Sequence, residues 1–388
     1  MNEYEVLSQK IYSLRNSLNQ QLVEREKEVT AAISALISGE PAVFISPPGT
    51  GKTKLVELLS MLISAKYFYY LLTKFTEPDE LIGPIDVAAL RKGRYVRITR
   101  GRLPEAEVIF LDEIFRSSSA IRNFLLDIIL YKRVFNGSEY IRAPILTIYT
   151  ATNEVSLESE DAALYDRLTI RDFHGNVGFD SWRKLLEKGI LLETNQYREV
   201  QPILTSEEIR RIQEIVKTRA RELISNDSFI NKYMEVLAEL KSSAIELSDR
   251  RKVKTLIVAS AISFIYREST VSLDSLGDAI RLTAPSTEDE VKKVEEVLAK
   301  VGLSSYDYKI RQIKTLEAEL SNIISRTRAV PAESNVRALD DVLSKSELIL
   351  ERASESRRLE SYSSSLREKV IEARNLISKL KEEQSKND

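Results

Sequence analysis

The residues best suited to chemistry in this chain form one run, Ser46-Pro47-Pro48-Gly49-Thr50-Gly51-Lys52-Thr53. Phosphate oxygens are held by a concave row of backbone N–H groups, and glycines at 49 and 51 permit the bend that makes one. Lys52 supplies a point charge for β- and γ-phosphates, and the Thr53 hydroxyl is a hard oxygen ligand for Mg²⁺. One position departs from the usual pattern: Ser46 stands where the first glycine is expected. A serine at a strand end is a mild change, because Gly51-Lys52-Thr53 stays intact. A second run, Val108-Ile109-Phe110-Leu111-Asp112-Glu113, is four apolar residues followed by two carboxylates. A buried strand ending this way presents both acids at the C-terminal edge of a sheet, where ligands of open α/β folds sit. Asp112 is then placed to hold Mg²⁺ through its water shell, and Glu113 to polarise an attacking water as general base. Thr150-Ala151-Thr152-Asn153 ends the next expected strand, and the neutral Asn153 amide can hydrogen-bond a γ-phosphate or orient that water. The three runs point to ATP with Mg²⁺.

Holding such groups at one edge takes alternating strands and helices. Short apolar runs at 42–46, 67–72, 107–111, 145–150 and 168–172 read as strands, with helical patterns at 52–65 and 117–131 between them. That alternation predicts an α/β fold with a parallel sheet covered on both faces. A single helix is expected over 3–38. Residues 86–100 break the alternation, and the Lys92-Gly93 turn between two short arms predicts an inserted hairpin. From about 200 the strands stop. Helical patterns at 208–222, 226–242, 249–266 and 272–283 form an all-helical unit, which Ala284-Pro285-Ser286 ends. Three further helices are expected at about 287–301, 306–328 and 333–384. In the last, Leu359, Tyr362, Leu366, Val370, Ala373, Ile377 and Leu380 make one apolar seam, read as packing on its own neighbours rather than as a dimeric coiled coil. The domain division expected is therefore 1–199, 200–285 and 286–388.

Composition narrows the chemistry. With 57 Lys+Arg against 59 Asp+Glu among 388 residues, the net charge is −2, which gives no global basic field for nucleic acid. The absence of cysteine excludes thiol nucleophiles, disulfides and Cys-based zinc sites. His174 is the only histidine, and it reads as an ordinary packed or surface residue with no carboxylate cluster beside it. No apolar run is long enough to span a bilayer and the first residues do not read as a signal peptide, so a cytoplasmic protein is expected.

The phosphate loop, the FLDE strand and TATN at this spacing resemble an AAA+ ATPase. Three further stretches, Phe75-Thr76-Glu77-Pro78-Asp79-Glu80-Leu81-Ile82-Gly83-Pro84, Gly93-Arg94-Tyr95 and Gly101-Arg102-Leu103-Pro104-Glu105-Ala106, look like the MoxR branch, most like its RavA subgroup. Leu164-Tyr165-Asp166-Arg167 and Leu247-Ser248-Asp249-Arg250-Arg251 are similar to that subgroup as well. The resemblance covers roughly residues 15–285. It implies a ring of subunits, commonly a hexamer, with ATP sites between them, that remodels or matures a protein client. A protein carrying a von Willebrand factor A-type domain is the partner it suggests first. Asn153 is then the polar sensor, Arg167 an arginine finger reaching a neighbour's nucleotide, and Arg250 a second sensor on the helical lid of the same subunit, with Arg251 as fallback. Residues 23–26 match the place of the adenine pocket, and the 86–100 insert would face a pore or substrate. Two other readings stay open: a nucleic-acid motor or loader, favoured only by the basic insert, and a nucleotide-switched scaffold docking through its C-terminal helices.

Overall fold

The computed structural model describes residues 3–136, 139–155, 159–194, 201–354 and 359–384, and the chain separates into two compact units, Met1–Val297 and Leu298–Asp388. The strands are β1 (Ala42–Ile45), β2 (Tyr67–Leu71), β3 (Val108–Asp112), β4 (Arg133–Asn136), β5 (Glu139–Arg142), β6 (Thr147–Thr152) and β7 (Ile170–Phe173). Five of them make one sheet in the order β2-β3-β6-β1-β7, parallel throughout. All five match strands expected from the sequence. Every residue of β1 and β6 is buried, as is the apolar part of β3, which is why these segments read as unbroken apolar runs. The edge strand β2 is partly exposed.

Polar side chains inside this sheet find backbone partners. The Tyr149 hydroxyl donates to Ala32 O at 2.7 Å, and Thr147 Oγ1 donates to Glu40 O at 2.7 Å. These bonds tie β6 to the second helix and to the turn before β1, so the sheet is satisfied where it is driest.

The N-terminal region is two helices, Glu3–Gln21 and Glu26–Ser38, where one was expected. Glu24 takes a left-handed conformation (φ 53°), and the break is fixed by tertiary bonds. Its carboxylate accepts from Gly178 N at 2.8 Å and from the Ser181 hydroxyl, while Arg25 Nε donates to Thr50 O at 3.1 Å. Those contacts outweigh the helical propensity of the run.

The 86–100 segment differs from a two-armed hairpin. Its base is antiparallel, with Asp86 N bonded to Val96 O at 2.8 Å and Ile98 N to Pro84 O at 2.9 Å. Its first arm, however, is a helical turn, Val87–Leu90, because the Asp86 carboxylate caps Ala88 N and Ala89 N. Gly83 is required at its foot: φ is 99°, and a Cβ there would lie 1.9 Å from Ile98 O. A true hairpin, β4–β5, lies elsewhere, with Phe135 stacked edge-on against Tyr140 and Arg133 over the Tyr140 ring at 4.0 Å. Gly137-Ser138, the two residues between its arms, is the sequence signal for it.

Helices Ser206–Glu222, Asp227–Ser242, Asp249–Ile265 and Leu273–Thr283 follow the expected pattern. Ile209, Ile212, Val216, Val258 and Ile262 share one buried cluster with Ile33, Leu36 and Phe44, so these helices and the sheet's cover form a continuous core. Helix Glu288–Lys300 crosses the boundary between the two units. In the second unit, helices Tyr306–Ala329, Glu333–Ser354 and Glu360–Gln384 pack on one another. Two helices thus stand where one was expected over 333–384; residues 355–358 lie outside those described. Leu359, Leu366, Val370, Ala373 and Ile377 of the seam are buried against Ile313, Leu320 and Leu339, while Tyr362 stays exposed, so five of the seven seam residues are consumed within the chain.

Candidate nucleotide site

The phosphate loop leaves the C-terminal end of β1 and opens the helix Lys52–Leu62. Gly49 (φ 78°) and Gly51 (φ 88°) are both left-handed, which turns successive N–H groups toward one side. Ser46 is buried, and its hydroxyl meets Thr50 Oγ1 at 2.7 Å, a brace across the loop that a glycine cannot provide. Lys52 Nζ donates to Ser46 O at 2.8 Å and to Ser46 Oγ at 3.0 Å. Burial pulls the Lys52 ammonium below its usual range, against the opposing fields of Asp112 and Glu113. Thr53 is exposed at the first turn of the helix.

Strands β3, β6 and β1 are neighbours, so the groups at their C-terminal ends converge. Asp112 Oδ1 accepts from the Glu113 backbone N–H at 2.9 Å. Glu113 itself is left-handed (φ 55°, ψ 46°), a strained state for a non-glycine residue that turns the chain sharply off the sheet. Its carboxylate accepts from Asn153 Nδ2 at 2.8 Å and pairs with Arg116 Nε at 3.3 Å. Asn153 thereby sits against the expected base. Hard carboxylate and hydroxyl oxygens at Asp112 and Thr53, a lysine at the loop and left-handed glycines fit a magnesium-bound triphosphate.

A cavity of about 810 Å³ adjoins the loop, lined by Leu22, Val23, Arg25, Gly49, Thr50, Gly51, Lys54 and Trp182 among others. Val23 and Arg25 come from the stretch expected to hold the base, while Glu24 is spent on Gly178 and Ser181. Sequence reasoning missed the contribution of helix Trp182–Glu193, which supplies Trp182, Leu185, Lys188 and Gly189.

His174 is not isolated. Its Nδ1 lies 2.6 Å from Asp172 Oδ2 and 3.9 Å from Glu28 Oε1, all three side chains being buried. The expectation of no carboxylate cluster near it therefore fails, because the second helix brings Glu28 against the end of β7. Burial, then the Asp172 charge, pushes Glu28 up to about 7, opposed by His174 and Arg25. Arg25 joins this cluster to the phosphate loop through Glu28 at 3.4 Å and Thr50 O at 3.1 Å. Because the folded state holds this proton more tightly than the unfolded chain, Glu28 favours folding at low pH. Stability is lost as pH rises from about 4.5 through 7. Glu28→Gln is expected to raise the melting temperature above pH 7, with the gain shrinking toward pH 4.5. Melting curves of both proteins across pH 4.5–8 check it, and a constant difference over that range refutes it.

Arg167 and Arg250 are not brought to this subunit's phosphate loop. Arg167 ends the helix Ser159–Arg167 just before β7, with Nη1 on Ala163 O at 2.6 Å. Arg250 Nη1 pairs with Asp166 Oδ2 at 2.6 Å, which ties this lid-helix residue to the position next to Arg167. Both line a cavity with Glu40, Pro41 and Thr169, residues that precede β1 and β7. That is the N-terminal edge of the sheet, opposite the loop. Arg251 is no substitute: it is buried and donates to Thr283 O and to Ala284 O at 2.7 Å.

A phosphate loop on a central parallel strand, an Asp-Glu strand end beside it and a polar amide on the strand between define the AAA+ nucleotide-binding fold, here followed by a helical C-terminal region. The same fold occurs in a crystallised protein from Cytophaga hutchinsonii, named as a candidate ATPase. It superposes with a TM-score of 0.59 at 18% identity, covering 76% of this chain and 96% of that one. A family profile for the MoxR domain of MoxR–vWA–β-propeller ternary systems matches residues 9–214. The chain belongs to the MoxR family of AAA+ ATPases. Two uncharacterised proteins of Methanocaldococcus jannaschii are similar to it: one is 30% identical over 80% of each chain, the other 31% identical over 69% of this chain and 68% of its own. A structural protein of Acidianus two-tailed virus is 28% identical over 63% of this chain and 42% of its own length.

Proposed function

We propose that this protein is a Mg²⁺-dependent ATP hydrolase of the RavA-like kind, working in a homo-oligomeric ring that remodels or matures a protein client. The observation that carries the reading is the Glu113–Asn153 pair at 2.8 Å, standing beside Asp112 at the edge where the phosphate loop emerges. Bound Mg·ATP supplies the γ-phosphoryl group and the metal's charge neutralisation. The chain's own residues do the rest. The 46–53 loop binds the phosphates, with Lys52 exchanging its carbonyl and Ser46 hydroxyl partners for phosphate oxygens. Thr53 and Asp112 would hold the metal. Glu113 orients and polarises the attacking water, and Asn153 fixes the Glu113 carboxylate.

Arg167 completes the site from a neighbouring subunit. Its place at the sheet edge opposite its own loop supports this, and Arg250, one ion pair away through Asp166, shares that face. A partner carrying a von Willebrand factor A-type domain is the first client to test, since the matched family domain is that of MoxR–vWA–β-propeller systems. Among the described residues no helix is long and apolar enough to cross a membrane.

Lys52→Ala is expected to lower ATP turnover at least about 10²-fold, since the charge facing developing phosphate charge is lost. Steady-state phosphate release measures it, and unchanged turnover would remove the 46–53 loop from the site.

A further inference from the structure

The break Ala284-Pro285-Ser286, which ends the all-helical unit in the sequence, is bonded in the structure to the helix that carries Arg167. Two buried arginines make the joint. Arg171, on β7, donates from Nη2 to Tyr165 O at 2.7 Å and from Nε to Leu168 O at 3.1 Å. A cation thus takes up free carbonyls at the C-terminal end of helix Ser159–Arg167, where the helix dipole favours it. The same guanidinium reaches Ser286 Oγ at 2.9 Å and Pro285 O at 3.3 Å, and lies 3.8 Å over the Tyr165 ring. Arg251, near the start of helix Asp249–Ile265, holds the other side of the turn: it donates to Ala284 O at 2.7 Å and to Ser286 Oγ at 3.4 Å. Tyr165 closes the joint by donating its hydroxyl to Ser286 O at 2.8 Å. Asp166 and Arg167 follow Tyr165 directly.

Burying two guanidinium groups on one turn is costly: burial, then the Arg171 charge, pulls Arg251 down to about 9. What the arrangement supplies is a fixed geometry between β7, the finger helix and the end of the lid. Neither ATP binding nor water activation uses it, since Tyr165, Arg171 and Ser286 do not line the cavity beside the phosphate loop. We propose that Tyr165, Arg171 and Ser286 are positioning residues, which join the turn closing the lid to the last turn of the finger helix. The lid of one subunit then sets where Arg167 stands for its neighbour. This rests on the reading of Arg167 as a finger acting between subunits. A shift of the joint changes the neighbour's turnover and leaves the neighbour's affinity for nucleotide alone.

The test uses two full-length proteins mixed at saturating ATP. Lys52→Ala subunits give a finger but lack a working loop, and Arg167→Ala subunits have the loop but give no finger. Tyr165→Phe removes one hydroxyl and keeps the ring on Arg171 and against Phe115, whose centroid is 5.9 Å away. Ser286→Ala removes the acceptor that both arginines share. Added to the Lys52→Ala subunit, each is expected to lower the kcat recovered on mixing about fivefold or more, as a small misplacement of a reacting group does. Added to the Arg167→Ala subunit, each should leave the recovered kcat within about twofold, since no finger is offered from there. Undiminished recovery with either change in the finger-giving subunit overturns the proposal and leaves the finger in place. An equal loss in both placements overturns it too, because a general defect of folding acts wherever it is put. No recovery from the parent mixture, with association shown by native mass, removes the finger and the joint's role together.

Discussion

Glu113→Gln should bind ATP with near wild-type affinity and turn it over about 10²–10⁴ times more slowly. The substitution keeps size and shape, so the backbone turn at φ 55° and the contact with Asn153 can persist. What disappears is the negative charge that draws a proton from water, and no neighbour can replace it. Asp112 already accepts the Glu113 N–H, and Asn153 carries no charge. Equilibrium binding of a fluorescent ATP analogue, alongside single-turnover hydrolysis, separates the two effects. A variant that loses affinity and turnover in proportion would show that Glu113 binds nucleotide rather than activating water. Asn153→Ala should then reveal what the amide adds, by freeing the carboxylate to the Arg116 side.

The second large effect concerns Arg167. Arg167→Ala should reduce turnover by about 10³–10⁵ while leaving each subunit's nucleotide affinity nearly intact, as removal of an arginine finger does. The argument is geometric: Arg167 precedes β7, whereas the loop follows β1, and these strands are parallel neighbours. Their starting and finishing ends lie a strand length apart. Mixing supplies a decisive check. Lys52→Ala subunits retain Arg167, and Arg167→Ala subunits retain the loop, so an equal mixture rebuilds complete sites at about a quarter of its interfaces. Recovery of phosphate release on mixing two inactive proteins is expected. No recovery, with association of the two variants demonstrated by native mass, would place Arg167 outside the site.

The parts of the fold legible in the sequence were those written in unbroken apolar runs. Strands β1, β3 and β6 are buried on both faces, so their residues could be read without knowing their neighbours. The loop and the two acids were legible for a related reason, since each follows directly on such a strand. Features set by distant contacts were not legible. The break after Gln21 depends on Gly178, Ser181 and Thr50, residues far away in the chain. The helical turn at Val87–Leu90 depends on one capping carboxylate, which the Lys92-Gly93 signal masked. Arg250 shows the same limit at the site. Its motif is plain in the sequence, but the edge of the sheet it faces depends on how the lid helices pack under Ile33 and Leu36. His174 likewise gained its carboxylate partners only through folding.

Trp182 gives the molecule a built-in optical reporter. It is the only tryptophan in 388 residues, it is about half exposed, and it lines the cavity that adjoins Gly49, Thr50 and Gly51. Its indole N–H donates to Val177 O at 3.2 Å, and its ring lies 5.0 Å from that of Phe179. On the function proposed above, a purine entering that cavity would change the polarity and quenching around one chromophore, so intrinsic emission alone would follow occupancy in real time. The absence of cysteine extends this, because a single thiol introduced anywhere can carry an acceptor dye without competing labels. The proposed loading, hydrolysis and release would thus be timed by light on the otherwise native sequence.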